Sequence, residues 1–322
     1  MLRRGRPVSL PLLLRYLYQE WLLAKFWRHT LSVSSISPSL TGTLTRFAPS
    51  PTGDLHLGHA YSALFAADIA ARDGGTFLLR TEDIDVTRCR PEHEAANLED
   101  LRWLGLSWPE PVRRQSEHFG FYQTALDRLE EMGLLYRCFL SRRELGAALS
   151  APHGAPADAP TDTDKLLPDD ERQRRFAAGA PFALRLRMAR ALERTGPLSW
   201  TDRKRGVQQA RPEMFGDVVL ARRDIPTSYH LAVTLDDALQ GITLVTRGED
   251  LLDATHIHRL LQALLDLPTP DYLHHGLLRG KDGKRLAKRD QSIAIRDLRA
   301  AGHSPEEVRA MAQPKPSLRT TD

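Results

Sequence analysis

Apolar positions along this chain switch repeatedly between short runs and a helical three-to-four spacing. Leu44 to Ala48 reads as a short strand, broken by Pro49, Pro51 and Gly53. Gly58 to Arg72 then carries Tyr61, Leu64, Phe65 and Ile69 at helical spacing, closed by Gly74-Gly75. Thr76 to Arg80 is a second strand. Pro91 opens a helix whose inner face is expected to be Ala95, Leu98, Leu101 and Leu104. Ser116 to Met132 reads as a helix stopped by Gly133, Leu134 to Cys138 as a strand, and Ser141 with Glu144 has the capping-box spacing.

Beyond this point the rhythm is interrupted. Residues 151–168 read as a linker or mobile loop rich in Pro, Gly, Ala and Asp. Alternation at Phe182, Leu184, Leu186 and Met188 predicts a half-buried strand. Phe215 to Leu220, Ile242 to Thr246 and Tyr272 to Leu278 predict further strands. Tyr229 to Ala238 and Asp253 to Leu265 predict helices. Strands alternating with helices imply an α/β fold with parallel βαβ units. The interrupted middle implies an inserted α+β subdomain. The expected organisation is therefore 1–43 as an extension, 44–134 as the first half of the sheet domain, 135–220 as the insertion, 221–300 as the second half and 301–322 as a tail.

Composition agrees with a globular chain: 322 residues, 41% hydrophobic and 27% charged, enough to bury a core without disulfide or metal staples. Two cysteines, Cys89 and Cys138, exclude a disulfide scaffold and a four-cysteine zinc site. The net charge of +4 hints at an anionic partner, but its location changes that picture. Arg3, Arg4, Arg6, Arg15, Lys25 and Arg28 face only Glu20 in the first 45 residues, which leaves the remainder slightly acidic. Charges interrupt that segment too often for a membrane span, and its apolar run, Leu10 to Leu14, is short for a signal peptide. An amphipathic surface helix using Leu13, Tyr16, Leu17, Trp21 and Leu22 is one reading. A poorly ordered appendage from an upstream start codon is the favoured one.

Two segments carry candidate chemistry. In Arg46 to Ala63, RFAPSPTGDLHLGHAYSA, a strand end, a Pro/Gly turn and a helix start bring His56 and His59 three residues apart. Such turns at the carboxyl end of a parallel sheet bind nucleotides. Gly58 would allow close approach, the helix start would offer N–H groups to a phosphate, and two imidazoles could donate to phosphoryl oxygens. Taken alone, the pair also fits surface histidines or a metal pair. The second segment, GKDGKRLAKRD from Gly280 to Asp290, could close Lys281, Lys284, Arg285, Lys288 and Arg289 over a triphosphate, or be a solvated basic turn.

Together, RFAPSPTGDLHLGH and GKRLAK resemble the class I glutamyl-tRNA synthetases. The first stands where that family has His-Ile-Gly-His, with Leu57 for the Ile. The second stands for its lysine loop, with Arg285 and Ala287 replacing Lys and Ser and Lys288 retained. The resemblance continues through Leu78 to Trp108 and Tyr229 to Leu252, and so covers most of 44 to about 295. It implies a Rossmann-like nucleotide-binding sheet, catalysis by His56, His59 and Lys288, and ATP binding by His56, Gly58, His59, Lys284 and Lys288. It further implies glutamate binding by Arg46, Ser50, Glu82, Tyr229 and Arg247. Two arginines suit two carboxylates and Glu82 suits the ammonium, but the sequence does not say which arginine takes which carboxylate.

Only some 30 residues follow Asp290, too few for an anticodon-binding domain. A catalytic half alone resembles the glutamyl-queuosine tRNA(Asp) synthetases. That implies L-glutamate, ATP with Mg2+ and queuosine-containing tRNA(Asp) as partners, and a cytoplasmic monomer with no membrane association. The alternatives are a truncated enzyme charging the 3′ end of tRNA(Glu), and a non-catalytic RNA-binding paralogue. The family often holds zinc with a Cys-x-Cys pair, a Tyr and a further Cys. Here Leu140 replaces the second cysteine, no later one exists, and His153 and Asp158 are weak substitutes, so no zinc is expected and Cys138 reads as a core thiol.

Overall fold

The computed structural model describes residues 42–141, 143–145, 163–278 and 293–313. The basic extension, most of the 151–168 loop and the lysine loop fall outside the described residues.

The first half is built on β1 (Leu44–Phe47), α1 (Leu57–Arg72), β2 (Thr76–Thr81), α2 (Pro91–Trp103), β3 (Arg113–Arg114) and α3 (Phe119–Glu131). β1 and β2 pair in parallel, Leu44 opposite Thr76, and β3 extends β2 in parallel. Gly74-Gly75 does more than end α1. A side chain on Gly75 would collide with the Thr43 backbone, so only glycine lets β2 start this close to β1. α1 buries Ala60, Ala63, Leu64, Ala66, Ile69 and Ala70, and its four alanines let it pack closely against the strands.

A second sheet region comes later in the chain. β4 (Leu135–Cys138), β5 (Ala183–Leu186) and β8 (Val219–Arg222) form a separate antiparallel sheet, with α4 (Asp169–Ala177) and α5 (Met188–Thr195) between its first strands and the hairpin that follows. That hairpin, β6 (Ser199–Asp202) and β7 (Gly206–Gln209), leaves this sheet and joins the parallel one. β6 pairs with β10 (Asp271–His275), which pairs in parallel with β9 (Leu244–Gly248). The stretch 135–220 thus contributes to both sheets. α6 (Tyr229–Leu239) and α7 (Ala254–Leu264) complete this half. β1 and β9 lie side by side, joined where Thr243 N donates to Leu44 O at 3.1 Å. Connections leave β1 and β9 in opposite directions, so their carboxyl ends open a crevice, the usual ligand position in such sheets.

Several sequence expectations shift. Leu98, Leu101 and Leu104 face the core as their spacing predicts, but Ala95 is exposed and Asn97 and Asp100 are buried, on the side where Glu94 is held by Thr81 and Arg114 at 3.0 and 2.6 Å. Met188 is buried as its alternation predicts, but it starts α5, since the Asp217 carboxylate accepts from its backbone N–H at 2.9 Å. Phe215 closes a short 3-10 turn, and the strand begins only at Val219, after Gly216 turns the chain at φ +58°. Thr163 to Leu166, read as loop, is a 3-10 turn, with Thr163 buried against Tyr136. α8 (Ile295–Ala300) ends the segment read as the second half, and the segment read as tail holds a further helix, α9 (Pro305–Met311). Ile295, Leu298, Val308 and Ala312 close the core under α1 and α2. No described helix is long and apolar enough to cross a membrane.

Candidate active site

The crevice at the carboxyl ends of β1, β2, β9 and β10 is a cleft of about 420 Å³. Arg46, His56, Gly58, His59, Glu82, Tyr229 and Arg247 all line it. Backbone bonds draw the motif blocks together: Glu82 N donates to Pro49 O at 3.1 Å, and Arg90 N to Pro51 O at 3.0 Å. Ser50 is exposed and lines an adjoining cleft of about 440 Å³, whose shared wall is Glu82 and Tyr229. Lys284 and Lys288 fall outside the described residues. The chain entering their segment lines the cleft at Leu278, and the chain leaving it bridges His56 at Ala294.

His56 caps α1. Its Nδ1 accepts from Gly58 N at 3.0 Å, and His59 Nδ1 accepts from His56 N at 3.3 Å. The rings stack with centroids 3.8 Å apart. Because both Nδ1 atoms accept, both neutral rings carry their proton on Nε2. The cap therefore fixes two donors of known tautomer. It also corrects one expectation: the first-turn N–H groups of Gly58, His59 and Ala60 are already taken by His56. What this turn offers an anion is the imidazole pair and the helix dipole rather than bare backbone. Gly58 has a different reason as well. A side chain there would press on the His56 ring at 2.9 Å, so glycine seats the histidine.

Behind Glu82 lies a buried lattice. Arg46 grips Asp237 with two bonds, of 2.9 and 3.2 Å, and Arg80 reaches Asp237 at 2.9 Å and Glu82 at 3.2 Å. Arg113 binds Asp236 at 2.8 Å, and Gln115 and Tyr122 bind its other oxygen at 2.9 Å each. Three guanidiniums thus face three carboxylates. Burial works against the Arg80 charge, yet the carboxylates around it hold it more firmly protonated than usual. Burial raises Glu82 despite Arg80 and Arg46, so this carboxylate has room for one more cation. The sequence reading missed Arg80, Asp236 and Asp237. Their signal was present: a charge inside the apolar strand TFLLRT, and two adjacent acids inside the apolar helix YHLAVTLDDAL.

Arg247, at 5% exposure, sits in different company. Its Nε donates to His274 Nε2 at 3.2 Å, and its Nη2 to Thr255 Oγ1. Nη1 reaches Tyr229 OH at 3.4 Å and His258 Nδ1 at 3.2 Å. All four partners are neutral. Arginine only donates, so His274 and His258 accept on those nitrogens. His274 then carries its proton on Nδ1, toward Asp202 at 2.7 Å. Burial, then Arg247, pushes His274 down to about 4 and His258 well below its ordinary value. His258, His274 and Thr255 were also missed. Thr255 and His258 lie on α7 and His274 on β10, and only the packing of those elements against β9 brings them to Arg247.

Among the described residues, no group of three His, Cys, Asp or Glu side chains forms a metal site. Cys138 is buried, and its sulfur accepts from Thr163 at 3.6 Å.

Residues 43–313 match the family model of tRNA synthetases class I (E and Q), catalytic domain. A relative from Rhodobacter capsulatus named glutamyl-Q tRNA(Asp) synthetase is 52% identical over 83% of this chain and 99% of its own length. One of the same name from Nocardia farcinica is 44% identical over 87% of this chain and 86% of its own. The crystal structure of a glutamate tRNA ligase from Elizabethkingia meningosepticum, in complex with its amino acid, superposes with a TM-score of 0.69 at 28% identity. It covers 84% of this chain and 60% of that one. The chain belongs to the class I tRNA synthetases (E and Q), and residues 43–313 are their catalytic domain.

Proposed function

We propose that this chain activates L-glutamate with ATP and passes the glutamyl group to the queuosine base of tRNA(Asp). The observation that carries the first half is the contrast between the cleft's two arginines. The Arg46–Arg80–Arg113 lattice is matched by carboxylates, whereas Arg247 has none within salt-bridge distance among the described residues. A ligand with two carboxylates and one ammonium brings a carboxylate to it. Arg247 takes one carboxylate, and Glu82 meets the ammonium. Arg46 keeps two N–H groups beyond its three protein bonds for the other carboxylate.

ATP fits the His56–His59 end. Bound there with Mg2+, it supplies the activated phosphorus and the pyrophosphate leaving group. A glutamate α-carboxylate oxygen attacks the α-phosphorus, and the bond to pyrophosphate breaks. The two imidazole Nε2–H groups donate to the oxygens on which charge grows, and Lys284 and Lys288 are assigned to the departing pyrophosphate. The Asp237 clamp keeps Arg46 in place without solvent rearrangement.

The queuosine target is supported by the names and near-full-length match of the two closely similar relatives. The test is to locate the glutamyl group. Radioactive glutamate is expected on the anticodon fragment of nuclease-cleaved tRNA(Asp). Label on the 3′-terminal adenosine of tRNA(Glu) instead would assign the chain to ordinary aminoacylation.

A further inference from the structure

Among the described residues, the second cleft shares only Glu82 and Tyr229 with the first. Much of its polar lining is already committed. Asp85 binds Thr87 and Arg88. Gln115 Nε2 binds Asp236, and Ser228 Oγ caps α6 through Leu231 N. Two groups stand out from that pattern. Thr227 Oγ1 is buried, at 2% residue exposure, and has no hydrogen-bond partner. A buried hydroxyl left so is a place for a ligand's polar group.

The other group is His230. Arg247 fixes His258 as an acceptor on Nδ1, so His258 carries its proton on Nε2. That nitrogen meets His230 Nδ1 at 3.2 Å. His230 must accept there, and its own proton sits on Nε2. Arg247 thus sets, through one histidine, the tautomer of a second one that lines the other cleft. With Nε2 protonated, His230 donates and cannot serve as a base.

We propose that this second cleft is the acceptor subsite, and that Thr227 and His230 hold the vicinal diol of a five-membered ring in it. The inference rests on the proposed glutamyl transfer. The lining suits a polyol better than a triphosphate: Asp85 is neutralised by Arg88, while a hydroxyl and a neutral N–H remain. Thr227 can donate or accept, and His230 donates, which matches two adjacent hydroxyls. Thr227 precedes the Ser228 cap of α6 and His230 follows Tyr229 in its first turn, so the diol is held within two residues of the wall of the glutamate site. In the transfer step an acceptor hydroxyl oxygen bonds to the glutamyl carbonyl carbon. The carbon–oxygen bond to the adenylate phosphate breaks, AMP leaves with the electron pair, and the hydroxyl proton passes to its phosphate. Exposed Arg222, at the rim, would meet a polynucleotide phosphate.

Two sources carry such a diol: the cyclopentene ring of queuosine and the 3′-terminal ribose. Thr227→Val and His230→Phe are compared with the parent on two substrates. One is queuosine-bearing tRNA(Asp) lacking its terminal adenosine, and the other is tRNA with an unmodified anticodon and an intact 3′ end. Transfer kcat/KM on the first is expected to fall about tenfold or more in both variants. Glutamate-dependent ATP–pyrophosphate exchange, which needs no acceptor, should stay within about twofold, and Thr227→Ser should restore transfer. Unchanged transfer, or exchange falling in step with it, overturns the proposal. If the parent labels only the second tRNA, the queuosine reading fails. The same two variants on that tRNA then still decide whether the cleft holds a diol.

Discussion

Arg46 and Arg247 end neighbouring strands, are equally buried at 5% exposure, and face the same cleft, yet their surroundings are opposite. Arg46 belongs to a lattice in which every cation has a carboxylate within salt-bridge distance. Arg247 is surrounded by Tyr229, Thr255, His258 and His274, which satisfy its geometry and leave its charge. A buried guanidinium held only by neutral acceptors is costly unless something arrives to balance it. One half of the cleft is finished architecture and the other is waiting for an anion.

Removing a partner from each side should separate the two roles. Asp237→Asn leaves Arg46 and Arg80 facing each other with less countercharge. A loss of about 3–5 kcal/mol in denaturant unfolding is expected. A loss under about 1 kcal/mol would mean that the lattice is not charge-critical. Arg247→Met should do the reverse. Its unfolding midpoint should hold or rise, since an unbalanced charge leaves the core. The glutamate concentration needed for half-maximal exchange should rise about a hundredfold or more, the equivalent of about 3 kcal/mol of charge-assisted bonding. Parallel losses of stability and affinity would erase the contrast.

Acidification gives the smallest and most graded test. Burial, then Arg247, pushes His230 and His274 down to about 4, and His258 moves the same way. Each binds a proton less readily folded than unfolded. As pH falls from about 6.5 the unfolded chain gains protons first, so stability declines toward pH 4. In Arg247→Met the decline should be shallower, because one of the two causes is gone. Identical slopes in melting temperature against pH would show that Arg247 does not govern those histidines.

Much of this was legible in the sequence. The RFAPSPTGDLHLGHA turn combined breakers, histidines and a helix start in one stretch, and the structure places His56, Gly58 and His59 together as that stretch implies. What it hid was of two kinds. Local hydrogen bonds override pattern: Asp217 starts a helix at Met188, and Glu94 is tied to Thr81 on the side of α2 where Asn97 is buried in place of Ala95. Convergence over long separations also leaves no periodic trace. Arg46 and Asp237 meet across 191 positions, and Arg247, His258 and His274 come from three elements. The roles of the two arginines could not be told apart from residue type, because only their partners differ.

The central claim is that Arg247 has no carboxylate partner among the described residues and that glutamate, with its two carboxylates, supplies one. ATP–pyrophosphate exchange without tRNA, run in parallel with L-glutamate and L-glutamine, measures this directly. The two differ only in the side-chain group, carboxylate against neutral amide. The account predicts exchange with glutamate and at least about a hundredfold less with glutamine. Equal exchange with both, or faster exchange with glutamine, would contradict it.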